Sequence, residues 1–236
     1  MLRSLLTKKG RSNTGLHLIE GERLVFDALA SGASAETVLV SEGREDIAAR
    51  LSELGVGFIP VNEAVLASVS DTETPQGVAA AVKTPDTTPP KVYPEGLIVT
   101  LDRVQDPGNL GTILRTADAF GAKGLLLSEG CADPFSPKTL RAAMGSTYHI
   151  PVWQGDIVSE LERLKAQGFF AVCGHLKGKE ALPELPEKRV IIIGNEANGV
   201  SDEVAGKAYL YRLPMKGRAE SLNAAVAAAI LIYKLA

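Results

Sequence analysis

The stretch LIVTLDRVQDPGNLGTILRTADAFGAKGLLL, residues 97–127, decides the fold class. Its apolar start, Leu97–Leu101, reads as a strand ending at Asp102, and Pro107-Gly108 sets a turn. Leu110, Ile113, Leu114 and Ala117 then recur at the spacing of one helix face, with Asn109 where an N-cap is expected and Gly121 closing the helix. Gly124–Leu127 opens a second apolar run. Strand, helix, strand in that order is one unit of a parallel α/β sheet. The alternation continues through Phe169–Val172, Val190–Ile193 and Tyr209–Leu213, which predicts a mainly parallel sheet covered on both faces. Sheets of this kind bind ligands beyond the carboxyl ends of their strands.

Three such strand ends carry polar residues ill suited to a core. The first loop holds Asn109, with Arg115 in the second turn of the helix behind it. Helical side chains lean toward the N-terminus, so Arg115 is expected to direct its guanidinium at the loop, where an anion also meets backbone donors. The second loop is Gly194-Asn195-Glu196-Ala197-Asn198-Gly199, in which Glu196 follows a buried strand and is positioned to receive a cation or to orient Arg115. The third runs from Leu213-Pro214-Met215 to Ser221-Leu222-Asn223 and enters an alanine-rich helix with Ser221 as its expected N-cap. A capping role explains Ser221, and solvation explains Arg115 and Glu196 taken singly. Asn223, inside a first turn, gains little from helix formation and is free to hold a ligand hydroxyl or a neighbouring side chain.

Working outward, Thr84 to Gly96 reads TPDTTPPKVYPEG and contains four prolines, which favour an extended connector. The expected division is a small α/β module at 1–84, a linker at 85–96 and the larger α/β domain at 97–236. Within the first module, 22–31 and 44–54 read as helices, and 37–40, 57–61 and 77–82 as strands. Residues 1–83 hold 8 Lys and Arg against 11 Asp and Glu, so the basic start with Lys8, Lys9 and Arg11 is a local feature. It reads either as a solvated tail or as a set of phosphate contacts.

Over all 236 residues the chain is 45% hydrophobic and 22% charged with a net charge of −3, an ordinary globular balance and not a uniformly basic coat. Cys131 and Cys173 lack CxxC spacing, and His17, His149 and His175 fall in no ligand motif, so reduced thiols and no metal are expected. No apolar run approaches a membrane span and no apolar signal core opens the chain, which points to a cytoplasmic protein. Neither a GxGxxG dinucleotide loop nor a GxxxxGK[ST] phosphate loop is present, against an oxidoreductase or an ATPase.

Taken together, DPGNLGTILRTADAFGA, VIIIGNEANG, and LPM followed by SLNAAVAAAI resemble the three motifs of the SpoU (TrmH-like) family of RNA 2′-O-ribose methyltransferases, within the SPOUT superfamily. DPFSPKTLRAAMGSTYHIPV, residues 133–152, is a family-like stretch between the first two, and LHLIEGERLVFDAL and TPQGVAAAV are similar to the small RNA-binding domain of relatives that act on ribosomal RNA. One departure is Ala225, where many relatives have Ser.

The resemblance implies a C-terminal trefoil knot, which neither composition nor periodicity shows, and a homodimer with its active site at the interface. It implies S-adenosylmethionine as methyl donor, leaving S-adenosylhomocysteine, held around Gly174, Ile193, Gly194, Gly199, Leu213, Met215, Leu222 and Asn223. It assigns catalysis to Asn109, Arg115, Glu196, Ser221 and Asn223, and RNA contacts to Lys8, Lys9, Arg11, Arg115, Lys138 and Arg141. A guanidinium stays protonated in proteins, so Arg115 is read as a fixed cation for phosphate and alkoxide and not as a base. Large-subunit ribosomal RNA is the expected substrate; transfer RNA and a catalytically silent RNA-binding protein on the same scaffold are the alternatives.

Overall fold

The structure, a computed structural model, describes residues 2–236. Two sheets form. The first comprises β1 (Leu16–Glu20), β2 (Ala35–Ser41), β3 (Ile59–Val61) and β4 (Val78–Lys83) in the order β1-β4-β2-β3, with β4 antiparallel to both neighbours and β2 parallel to β3. The second comprises β5 (Leu97–Asp102), β6 (Gly124–Leu127), β7 (Val152–Gln154), β8 (Phe170–Lys179), β9 (Arg189–Gly194) and β10 (Tyr209–Tyr211). All its pairings are parallel, as the alternating pattern predicts, and the strand order is β10-β8-β9-β5-β6-β7.

Helices α1 (Lys8–Thr14), α2 (Glu22–Ala30), α3 (Glu45–Glu53) and α4 (Glu63–Val69) surround the first sheet. The second is covered by α5 (Pro107–Ala119), α6 (Pro137–Ala143), α7 (Ile157–Ala166), the short α8 (Asp202–Ala205) and α9 (Ala224–Leu235). Because side chains alternate along a strand, β5 splits its residues between two cores. Leu97, Val99 and Leu101 pack with Leu110, Ile113 and Leu114 of α5 and Leu231 of α9, whereas Ile98 joins Trp153, Ile157 and Leu161 beneath α7. The connector at 84–96 has no helix or strand, yet it is tied down. Tyr93 is buried, its hydroxyl donates to Glu160 (2.6 Å), and the Thr87 carbonyl accepts from Gln154 N–H (2.7 Å) at the β7 edge.

The amino-terminal stretch is not a solvated tail. Leu2–Leu6 forms a 3-10 turn that buries Leu5, and α1 follows with its N-cap Thr7 accepting from Gly10 N–H. Arg11 is buried, only 7% exposed, and its Nε and Nη2 both reach Asp133 Oδ2 (3.0 and 2.6 Å) while Nη1 donates to the Leu5 carbonyl (2.7 Å). The expectation of a phosphate contact at Arg11 is therefore corrected: its charge is spent within the chain, locking the first sheet's module onto the second. A buried guanidinium needs such a partner, because desolvating it alone is costly.

Other side chains complete this junction. Leu140 of α6 enters the core beneath β1, β2 and β4. His17 Nε2 meets Tyr148 Oη (2.6 Å), and His149 lies between Asp27 (3.2 Å) and Asp118 (2.8 Å). The two histidines titrate in opposite senses. Burial drives the pKa of His17 down to about 4, while hydrogen bonds from the His149 ring to Asp118 and Asp27 raise that of His149. For His17 the unfolded chain binds the extra proton, so its contribution is complete above pH ~6.5 and is lost as pH falls toward 4, by on the order of 3 kcal/mol. The His149 contribution has the reverse sign, present below its unfolded pKa and lost as pH rises through the folded one. Urea unfolding across pH 4–7 is expected to show the acid-side loss in the wild type and a flatter profile in His17→Gln, which cannot titrate. An unchanged slope would assign the loss to other groups.

Candidate active site

The second sheet starts at β5, adds β6 and β7 on one side, and then crosses to add β8, β9 and β10 on the other, so the topological switch lies between β5 and β9. This is where an open parallel sheet forms its crevice, and all three polar loops emerge at that edge.

Side-chain hydrogen bonds join the three loops. Asn223 Nδ2 donates to Asn109 Oδ1 (3.0 Å), and Asn109 Nδ2 donates to Glu196 Oε1 (2.9 Å). Glu196 also accepts from the backbone N–H groups of Gln105 and Asp106 (both 3.2 Å), which holds the loop before α5. Burial pushes the Glu196 carboxyl up, but the Asn109 amide and the backbone donors outweigh it and hold its pKa below the ordinary carboxylate range. Glu196 is thus an ionised anchor. It bonds to Asn109 and not to Arg115, contrary to the orienting role considered from sequence.

Two capping assignments also change. Asp106, not Asn109, is the N-cap of α5, accepting from Asn109 N–H (2.8 Å) with Pro107 in the first turn. This leaves the Asn109 carboxamide free to bridge the other loops. Asn223, not Ser221, caps α9, its Oδ1 accepting from Ala225 N–H (2.9 Å) and Val226 N–H (3.2 Å). Ser221 lies exposed in the loop before it. One carboxamide therefore serves two ends: its oxygen ends a helix and its nitrogen reaches Asn109. Asn223→Ser keeps a capping oxygen and loses the amide donor, whereas Asn223→Ala loses both. The alanine variant is expected to be less stable than the serine variant by about 1 kcal/mol, with both losing the same share of activity; restored activity in the serine variant would exclude the Asn109 contact from function.

Arg115 is exposed and makes no hydrogen bond or ion pair among the described residues. It stands six residues beyond Asn109, roughly 240° around the helix, which places the two side chains on different faces and explains why they do not meet. Lys138 of α6 pairs with Asp106 (3.2 Å), and Arg141 pairs with Glu20 (3.2 Å) and Asp71 (2.6 Å) across the junction of the two sheets. Arg141 is accordingly a bridge between modules in this structure. Lys8 and Lys9 are exposed on α1.

The residues assigned to the methyl donor fall into a rigid part and an open part. Ile193 is buried at the end of β9. A Cβ on Gly194 would overlap the Gly199–Val200 backbone, so only glycine permits this close pass, and Gly199 adopts φ +68°. Asn195 closes the loop, with backbone bonds to Gly199 in both directions (3.0 and 2.9 Å). Gly174 on β8 gives room to Leu231 of α9. By contrast, residues 213–222 make no hydrogen bond among the described residues, so their backbone donors and acceptors are unclaimed. Leu213 is partly buried against the core, while Met215 and Leu222 are each 38% exposed. An apolar surface beside free backbone groups fits an adenosine, which presents flat faces and a polar edge.

Sequence reasoning passed over Asp102 and Asn195. Asp102 is a carboxylate only 3% exposed at the end of β5; it accepts from Ser201 N–H (2.7 Å) and Oγ (2.8 Å) and is paired by Arg103 Nε (3.0 Å). Ser201 precedes α8, but its hydroxyl serves Asp102 instead of capping the helix. Asn195 Nδ2 donates to the Arg103 carbonyl (2.7 Å), and Arg103 sits at φ +57°. The only signal for this clamp was an acid closing the apolar run LIVTLD.

Residues 96–233 match the SpoU rRNA Methylase family, and residues 1–80 match the MRM3-like substrate binding domain. The chain is 41% identical to the 23S rRNA (guanosine(2553)-2′-O)-methyltransferase RlmP of Bacillus subtilis, over 99% of this chain and 93% of that protein. Among solved structures, an AdoMet-bound rRNA methyltransferase from Sinorhizobium meliloti superposes with TM-score 0.88 at 36% identity, covering 99% of this chain and 91% of that one. The SpoU methyltransferase AviRb of Streptomyces viridochromogenes, solved with AdoMet, superposes with TM-score 0.86 at 29% identity, covering 99% and 94%.

Proposed function

The chain belongs to the SpoU rRNA methylase family, and from that premise we propose that it transfers the methyl group of S-adenosylmethionine to a ribose 2′-hydroxyl of large-subunit ribosomal RNA. The observation that carries this reading is the hydrogen-bonded line Asn223–Asn109–Glu196, which brings all three motif segments to one crevice. When bound, S-adenosylmethionine supplies a methyl already activated by its sulfonium. Gly174, the Gly194–Gly199 loop and residues 213–222 are the groups that would hold it.

The protein's own work is placement and charge. Asn109 and Asn223 fix the loop edges that meet the ribose, so that the hydroxyl is held in line and little orientational entropy remains to be lost. Arg115, a guanidinium without a partner among the described residues, binds an RNA phosphate and stabilises the alkoxide as it develops. Glu196, held ionised by three N–H donors, is a poor proton acceptor and serves as a positioning group.

We assign the trefoil threading to the segment in which β9 inserts between β5 and β8 while β10 returns to the outer side of β8. The tight pass of Gly199–Val200 against Gly194 supports it. Val226, Ile230 and Tyr233 form an exposed stripe on α9 at i, i+4 and i+7, continued by Phe120, whose ring packs against Tyr233. A second copy of the chain covers this stripe in our reading, forming a homodimer that brings Arg115 of one protomer toward the other's crevice. Among the described residues no helix is long and apolar enough to cross a membrane, and we place the protein in the cytoplasm.

The test is methyl transfer from S-adenosylmethionine to large-subunit ribosomal RNA from cells lacking the gene, followed by mapping of 2′-O-methyl marks. A single new ribose mark is expected in that RNA. A mark found only in transfer RNA, or S-adenosylhomocysteine binding without turnover on any RNA, would replace this reading.

A further inference from the structure

A cavity of about 330 Å³ opens where the two modules meet, away from the residues assigned to the methyl donor. That volume lies within the range of small-ligand sites, ~300–1,000 Å³. Leu24 of α2 and Leu140 of α6 supply apolar wall, and Thr74 and Gln76 bring side-chain hydroxyl and carboxamide groups that make no hydrogen bond among the described residues. Arg141 is fixed in the same wall by Glu20 and Asp71. At the lip, Met144 has φ +51°, one of only two non-glycine residues with positive φ among those described, and is 42% exposed. It is the left-handed C-cap of α6, its N–H donating to the Leu140 and Arg141 carbonyls.

The chemistry selects the ligand class. Arg141 is neutralised by two carboxylates, and Arg23, the other cation of the wall, makes no ion pair among the described residues and is available to the phosphate that flanks a base. A flat guanidinium, apolar side chains and a carboxamide able both to donate and to accept suit an uncharged heterocycle with a hydrogen-bonding edge. The position fits as well. Lys138 at the start of α6 pairs with Asp106 beside the crevice, and Met144, the C-cap of that helix, follows about 9 Å farther along its axis. We propose that this cavity receives an unstacked base of the RNA substrate, next to the ribose that is methylated; this rests on the proposed function above. Reading an extruded base lets a fixed crevice select one nucleotide in a large RNA.

Two measurements test it. In the first, the full-length ¹⁵N-labelled protein is titrated with each of the four ribonucleoside 5′-monophosphates and with ribose 5-phosphate as the base-free control. At least one nucleotide is expected to shift the Gln76 carboxamide and Met144 amide signals saturably while ribose 5-phosphate does not. Equal effects from all five compounds, or none, would overturn the proposal. In the second, Gln76→Ala is expected to raise KM for ribosomal RNA roughly tenfold, the weight of one good base-edge contact, with kcat and S-adenosylhomocysteine affinity unchanged. An unchanged KM would overturn it too. A wild-type protein that methylates no RNA would sink the parent reading, while the nucleotide titration would still decide whether the cavity takes a base.

Discussion

Replacing Arg115 with alanine is expected to lower kcat for methyl transfer by roughly 10²–10³-fold, the usual loss when one fixed charge-stabilising donor is removed. The affinity for S-adenosylhomocysteine is expected to stay constant, because Arg115 lies on a different face of α5 from Asn109 and makes no hydrogen bond to the loops that would hold the cofactor. Single-turnover methyl transfer at saturating RNA separates the chemical step from RNA binding. Arg115→Lys keeps the positive charge and loses the planar fork, so it should recover only part of the rate. Near-normal turnover in the lysine variant would show that a point charge suffices; near-normal turnover in the alanine variant would remove Arg115 from the chemistry.

Arg11→Ala is expected to destabilise the fold by about 3–5 kcal/mol, the cost of leaving a buried charge partner unmatched. Asp133 would lose both of its guanidinium contacts, and the Leu5 carbonyl its donor. Urea unfolding measures this, and a loss below about 1 kcal/mol would mean that the pair is solvated in solution. Lys8→Ala and Lys9→Ala, on the exposed side of the same helix, are expected to behave differently. Their stability should hardly change, while each phosphate contact removed lessens the salt dependence of RNA affinity by about one unit of slope. Two neighbouring kinds of basic residue are thereby distinguished, one structural and one directed at RNA.

The strands and helices of the second sheet were readable because their apolar residues recur with clear periods. Gly124–Leu127 matches its strand residue for residue, and parallel pairing followed from alternation with helices, although β8 and β9 pair in parallel with no helix between them. Elements that escaped notice are short or atypical. β7 spans three residues, and β1, Leu16–Glu20, is buried nearly throughout and so lacks the two-residue alternation of a half-exposed strand. The helix caps were misplaced by a few residues for a related reason. Asp106 and Asn109 both suit an N-cap, as do Ser221 and Asn223, and local propensity does not choose between neighbours that both qualify.

Sequence alone sufficed for the α/β class, the three polar loops and the family to which their motifs belong, since these depend on residue type and spacing along the chain. Partnership between distant residues was out of its reach. Asn109 and Asn223 are 114 positions apart, Arg11 and Asp133 are 122 apart, and the cavity's walls come from both modules. Charge is the clearest case, because Arg11, Arg141 and Arg115 look alike in a sequence. Packing buries the first, clamps the second between carboxylates and leaves the third without a partner among the described residues, since a guanidinium's role follows from which carboxylates the fold brings within about 4 Å of it.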